Sequence, residues 1–88
     1  MSKRIYLDNA SATPVDKRVF NAMSPYFSSK FANPSGVYKE GVETKKALEN
    51  ARRDIANILK CRAEEIVFTN GATESLNLAI RGVILSWD

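Results

Sequence analysis

The sequence predicts an α/β fold with three helices, two short strands and an incomplete sheet. Three observations predict it. Ile66, Val67 and Phe68 form a continuous apolar, partly β-branched run, the pattern of a strand covered on both faces. Asn70-Gly71 breaks that run, and Leu76, Ala79, Ile80, Val83 and Ile84 then recur at the spacing of one helical face. A second short apolar run, Ile5-Tyr6-Leu7, is the other strand candidate.

The elements follow in order. After residues 5–7, Asp8 to Pro14 reads as a polar turn, and Pro14 biases Thr13 toward extended backbone. Asp16 is a good N-cap for the next helix. Val19, Phe20, Met23, Tyr26 and Phe27 give that helix an expected buried stripe. Pro25 removes a backbone donor, so a kink or a restart at Ser24 is expected. Residues 28–36 form a loop rich in turn residues. Residues 42–59 form the longest helix, with Leu48, Ala51, Ile55, Ile58 and Leu59 as its expected buried face. Glu49 stands three and four residues before Arg52 and Arg53 and can pair with either. Residues 60–64 then turn into the strand at 66–69.

Composition sets outer bounds. Eighty-eight residues allow one small domain at most, and 44% hydrophobic content is not that of a disordered chain. Thirteen basic against ten acidic residues give a mild +3. The doublets Lys45-Lys46 and Arg52-Arg53 are expected on the solvent face of a helix, which leaves nucleic-acid binding a weak alternative. No apolar run is long enough to span a membrane, and Met1-Ser-Lys-Arg4 is not followed by a signal-peptide core. The expected compartment is the cytoplasm. Cys61 is alone and histidine is absent, so neither a disulfide nor a Cys-His pair nor a metal cluster is expected. Cys61 reads as a small, partly buried filler.

Strand, glycine turn and helix start together can hold an anion. The first backbone N–H groups of a helix lack internal partners, and the macrodipole adds partial positive charge there. Gly71 supplies freedom for the reversal, Gly71 and Ala72 leave room for a phosphate, and the Thr73 hydroxyl adds a donor, as does Ser75 if it turns inward. Glu74 is expected to face away from such an anion. The alternative is that Thr73 or Ser75 merely caps the helix and nothing binds.

The segment Ile66-Val-Phe-Thr-Asn-Gly-Ala-Thr-Glu-Ser-Leu-Asn-Leu-Ala-Ile80 closely resembles the phosphate-cup segment of cysteine desulfurases, the pyridoxal-phosphate enzymes of aminotransferase class V. Ile5-Tyr-Leu-Asp-Asn-Ala-Ser-Ala-Thr-Pro-Val-Asp16 resembles that family's opening motif. Asn33-Pro-Ser-Gly-Val-Tyr-Lys-Glu-Gly41 resembles its Asn-Pro-Ser-Ser-x-His-x-x-Gly segment. Three motifs in the family's order and spacing span residues 5–80 of the chain.

The resemblance implies the N-terminal part of a fold-type-I transferase that uses pyridoxal 5'-phosphate. Residues 1–15 would belong to the small-domain edge of the active site, and 16–88 would begin the large cofactor-binding domain. Ala72 and Thr73 would hold the cofactor phosphate, with Gly71 shaping the turn. Asn9, Ser11, Asn33 and Ser35 are the substrate-side candidates, against ordinary turn chemistry as the alternative for Asn9 and Ser11. No catalytic residue is assigned within this chain, because the family's cofactor-bearing lysine and sulfur-accepting cysteine fall later. The implied reaction takes sulfur from L-cysteine, giving alanine and an enzyme persulfide, for iron–sulfur cluster assembly or tRNA thiolation. The implied partners are a sulfur-acceptor protein such as an iron–sulfur scaffold and, in the complete enzyme, a second copy. The pattern departs from the family at Tyr38, where histidine is common, at Gly36, where serine is common, and at Ala12, which lacks a hydroxyl. Two alternatives stay open: another class V enzyme, such as a selenocysteine lyase or a kynureninase-like hydrolase, and a non-catalytic module with a protein-contact role. The strand that lacks neighbours on both sides, and the last helix without a return strand, make the chain read as a piece of a larger protein.

Overall fold

A computed structural model describes residues 3–87; the expected run-out of the last helix at Asp88 lies outside them. The element order is α1 (Lys17–Met23), a 3-10 turn (Ser24–Phe27), α2 (Lys39–Leu59), a second 3-10 turn (Ala63–Glu65) and α3 (Ala72–Ser86). The chain divides into two compact units, Met1–Lys46 and Ala47–Asp88, with the division inside α2.

In the first unit, residues 3–8 have no regular structure and lead into a turn in which the Ser11 N–H donates to the Asp8 carbonyl at 3.0 Å. Asp16 caps α1 as its sequence position predicts: its carboxylate accepts from the Arg18 N–H at 2.8 Å. The Arg18 side chain closes over the same carboxylate, and these bonds, side chain first, hold the Asp16 carboxyl below its ordinary range. α1 stops at Met23 and restarts as a 3-10 turn from Ser24, with Pro25 in its first positions. The expected buried stripe on α1 is not formed. Val19, Phe20, Met23, Tyr26 and Phe27 are all exposed, because no element of the described residues lies against them except the 3-10 turn that follows.

The loop ahead of α2 is built around Asn33. Its Oδ1 accepts from the Ser35 N–H at 2.8 Å, and its carbonyl accepts from the Gly36 N–H at 2.9 Å. Both are the local bonds by which asparagine favours turns. Gly41, in the first turn of α2, is buried against this loop; an added Cβ would lie 2.6 Å from the Gly36 carbonyl oxygen and 2.8 Å from that of Asn33. At Gly36 a Cβ would instead meet the Tyr38 ring at 2.5 Å. The two departures from the family pattern in this loop therefore occupy one space: the larger ring stands where a side chain at residue 36 would begin.

In the second unit, α2 buries a different line from the one its apolar periodicity predicts. Ile58 is 78% exposed and Leu59 is also exposed, whereas Ala56 is 2% exposed and Arg52 and Glu49 are half-buried. Residues 49, 52 and 56 share one helical face. Arg52, expected in solvent, is on the buried side because its guanidinium serves the chain that returns past it. α2 ends in a left-handed residue, Lys60 (φ 57°). The Cys61 N–H reaches back to the Ala56 carbonyl at 3.0 Å and the Lys60 N–H to the Asn57 carbonyl at 3.4 Å. This is the Schellman ending, made with lysine where glycine is usual.

The expected strands at 5–7 and 66–69 are not formed: among the described residues there is no strand and no sheet. The fold class is accordingly corrected from α/β to helices joined by turns and segments without regular structure. The physical reason is pairing. Ile66 has extended dihedrals (φ −97°, ψ 125°), but its N–H bonds to the Ala63 carbonyl at 3.1 Å and its carbonyl accepts from Arg52. Both of its backbone groups thus have local partners, and a strand requires a ladder. Ile5 and Leu7 stand exposed with no neighbouring chain to pair with among the described residues.

Candidate phosphate site

The candidate site is the turn from Thr69 to Gly71 and the first residues of α3. Gly71 is the N-cap, and no side chain caps the helix. The capping role weighed for Thr73 or Ser75 is therefore not what the structure shows. The first backbone bond inside the helix runs from the Ser75 N–H to the Gly71 carbonyl at 3.1 Å. The N–H groups of Ala72, Thr73 and Glu74 precede it and have no partner within the helix. Gly71 itself is extended (φ 161°, ψ −176°), a conformation open to any residue, so the left-handed freedom expected of it is not used. An added Cβ would meet nothing of this chain within 4 Å, so the space beside the helix start is open.

Side chains brace the turn from behind. The Thr69 hydroxyl donates to the Gly71 carbonyl at 3.1 Å and lies 2.6 Å from the Ser75 hydroxyl. The Glu74 carboxylate accepts from the Asn70 N–H at 3.0 Å, ahead of the N-cap, and makes no bond to the N–H groups of Ala72 or Thr73. The Asn77 amide donates to the Thr73 carbonyl at 2.9 Å, one turn further along.

This donor set fits a phosphate dianion. Backbone N–H groups converge at the positive end of a helix dipole, a glycine leaves the approach open, and a threonine hydroxyl stands at the second helical position. Gly71, Ala72 and Thr73, named from the sequence, are adjacent here. Thr69 is outside the expected donor set, and the sequence offers Ser75 only as a further donor or a cap; the hydrogen bonds of Thr69, Ser75 and Glu74 around the turn depend on side-chain directions. The substrate-side candidates lie in the first unit. Asn9 and Ser11 fall in the Asp8 turn, and Asn33 and Ser35 share the turn before α2, where Asn33 Oδ1 is already engaged. Cys61 is half-exposed at the end of α2. Among the described residues no group of three or more potential metal ligands occurs, and no helix is long and apolar enough to cross a membrane.

Residues 5–88 match the family model described as aminotransferase class-V. A cysteine desulfurase IscS of Dictyoglomus turgidum is 47% identical over 83 residues, which cover 94% of this chain and 21% of that protein. A cysteine desulfurase IscS of Rickettsia bellii is 52% identical over 80 residues, 90% of this chain and 20% of that protein. A mitosomal cysteine desulfurase of Trachipleistophora hominis is 49% identical over 82 residues, 92% of this chain and 19% of that protein. The chain thus spans about a fifth of the length of the curated relatives it matches. No solved structure matches.

Proposed function

The chain belongs to the aminotransferase class-V family, and from that premise we propose that it is the N-terminal portion of a pyridoxal-phosphate-dependent cysteine desulfurase. The observation that carries the reading is the start of α3, where uncapped N–H groups, a glycine approach and Thr73 form an anion site. The names of the relatives give the reaction class. Pyridoxal phosphate, when bound, supplies an electron sink that allows bonds of an amino acid to be broken. The residues of this chain hold and orient it. Ala72 and Thr73 donate to its phosphate, the α3 dipole favours its charge, and the Thr69–Ser75 contact keeps the turn in shape. In the reaction proposed for the complete enzyme, sulfur passes from L-cysteine to an enzyme thiolate, alanine leaves, and the persulfide serves iron–sulfur assembly or tRNA thiolation through an acceptor protein. A homodimer and a cytoplasmic setting complete the proposal, with residues 1–15 at the small-domain edge and 16–88 opening the large domain. Asn9, Ser11, Asn33 and Ser35 are proposed on the substrate side.

The test is a purified complete enzyme assayed for cysteine-dependent sulfide and alanine in equal amounts. Turnover of kynurenine or selenocysteine but not cysteine would overturn the reading.

Two outcomes follow within the enzyme. Cys61→Ala should leave desulfuration nearly intact, since Cys61 sits at a helix end and not in the phosphate turn. Loss of the persulfide in that variant, read by mass spectrometry, would show that the nucleophile is Cys61. Gly41→Ala should destabilise the enzyme by about 1–3 kcal/mol, the usual cost of forcing extra atoms into a filled space. Its Cβ would strike two backbone carbonyls, which cannot swing aside. Gly36→Ala meets only the movable Tyr38 ring and should cost less; equal thermal midpoints for the two variants would contradict this placement of the loop.

A further inference from the structure

We propose that Arg52 is a positioning residue for the phosphate turn: from α2 it fixes the extended segment that delivers Gly71, Ala72 and Thr73 to the cofactor phosphate. The inference rests on the phosphate reading of the start of α3. Three separate contacts involve this one side chain. Nε donates to Glu49 Oε2 at 3.3 Å, Nη1 donates to the Ile66 carbonyl, and the guanidinium lies 4.9 Å from the centre of the Phe68 ring. The side chain is 22% exposed, whereas the other basic residues described are all exposed.

Each contact fixes a different degree of freedom. The bond to Ile66 sets how far the segment stands from α2. The stacking on Phe68 sets its rotation, since a flat cation prefers the ring face. The Glu49 bond holds the fork in one plane. Among the described residues no strand ladder holds this segment, and the Arg52 contacts are what tie it to α2. Little slack separates Phe68 from the site. Thr69 is tied to Gly71 and Ser75, and Asn70 is tied to Glu74. A shift at residues 66–68 is therefore passed to the donors of α3 rather than absorbed in the turn. Lysine cannot replace arginine here, because a point charge on a flexible stem has neither the fork nor the flat face.

The experiment titrates the apo form of the complete enzyme with pyridoxal phosphate, following absorbance, for the wild type, Arg52→Lys, Arg52→Met, Thr73→Ala and each double variant. Phosphorus NMR of the bound cofactor accompanies the titration. Arg52→Met should weaken binding roughly tenfold, and Arg52→Lys should keep the apoprotein's thermal midpoint yet remain several-fold weaker than wild type. The phosphorus resonance should move in Arg52→Lys. In the double variants the loss should be smaller than the product of the single losses, because both residues act on one set of donors. Full affinity and an unmoved resonance in Arg52→Lys would overturn the proposal, and so would a double variant whose loss equals the product. Should Arg52→Met fail to fold, Arg52→Lys and its double variant decide the matter alone. Unchanged affinity in Thr73→Ala overturns the phosphate reading and this inference together, whereas a weakened Thr73→Ala beside an unaffected Arg52→Lys overturns only the inference.

Discussion

Thr73→Ala in the complete enzyme should raise the dissociation constant for pyridoxal phosphate about tenfold or more. The hydroxyl stands at the second position of α3, beside backbone N–H groups that no side chain caps. A hydrogen bond to a charged group contributes about 1.5–3 kcal/mol, and each 1.4 kcal/mol is roughly a factor of ten. The loss should be confined to cofactor affinity. Thr73 makes no side-chain cap, so α3 should keep its helicity and the apoprotein its thermal midpoint. Thr73→Ser, which retains the hydroxyl, should recover most of the affinity. The measurement is a titration of apoenzyme, and unchanged affinity in the alanine variant removes Thr73 from the site.

The second large effect concerns the 88-residue chain expressed by itself. It should release no sulfide from L-cysteine, and it should not melt cooperatively. The physical ground is the exposure of its apolar residues. Ala56 is the one buried hydrophobic side chain among the described residues, while Leu76, Ile80, Val83 and Ile84 on α3 and Phe27 and Phe31 in the first unit are exposed. Apolar burial is the main favourable term in folding, and surface left in water contributes nothing to it. The chain should therefore bind a hydrophobic dye and associate at moderate concentration. Borohydride reduction in the presence of pyridoxal phosphate should give scattered, substoichiometric labelling of its lysines. One stoichiometrically labelled lysine together with cysteine-dependent sulfide would mean that a complete site resides in these 88 residues.

What the sequence made legible divides along physical lines. Helices are local, so the Asp16 cap, the restart at Ser24, the long helix ending at Leu59 and the start of α3 at Ala72 could all be read from neighbouring residues. Strands are not local. The apolar run at 66–68 indicated a strand that is not formed, because pairing depends on another chain segment. Periodicity also misassigned the buried face of α2, because it ranks residues by hydrophobicity, and here an arginine takes the inner side by way of its stem and flat head. At the candidate phosphate site, Gly71, Ala72 and Thr73 were named through their motif, and the structure puts them at the N-cap and first two positions of α3. The bracing by Thr69, Ser75 and Glu74 was not, since it depends on side-chain directions that spacing alone does not set.

The contact from Arg52 to Ile66 joins residues only fourteen apart, across a Schellman ending whose bonds are more local still. That has a consequence for the order of events during synthesis. Closing a loop of about ten residues takes on the order of 10–100 ns, while a ribosome adds roughly 5–20 residues per second. The end of α2 and the segment leading to the phosphate turn can thus meet as soon as both have left the ribosome, long before later parts of a longer protein exist. The encounter is fast without being stable, so it should be populated only in part until further apolar surface arrives to cover it. A left-handed lysine at residue 60 tunes that early population. Lys60→Gly removes the Cβ clash of the left-handed conformation, about 1–2 kcal/mol, while a β-branched residue there opposes the reversal. Ribosome-bound chains long enough for Ser86 to have left the exit tunnel should accordingly show more amide protection at 56–68 with glycine at position 60 than with lysine, and least with valine.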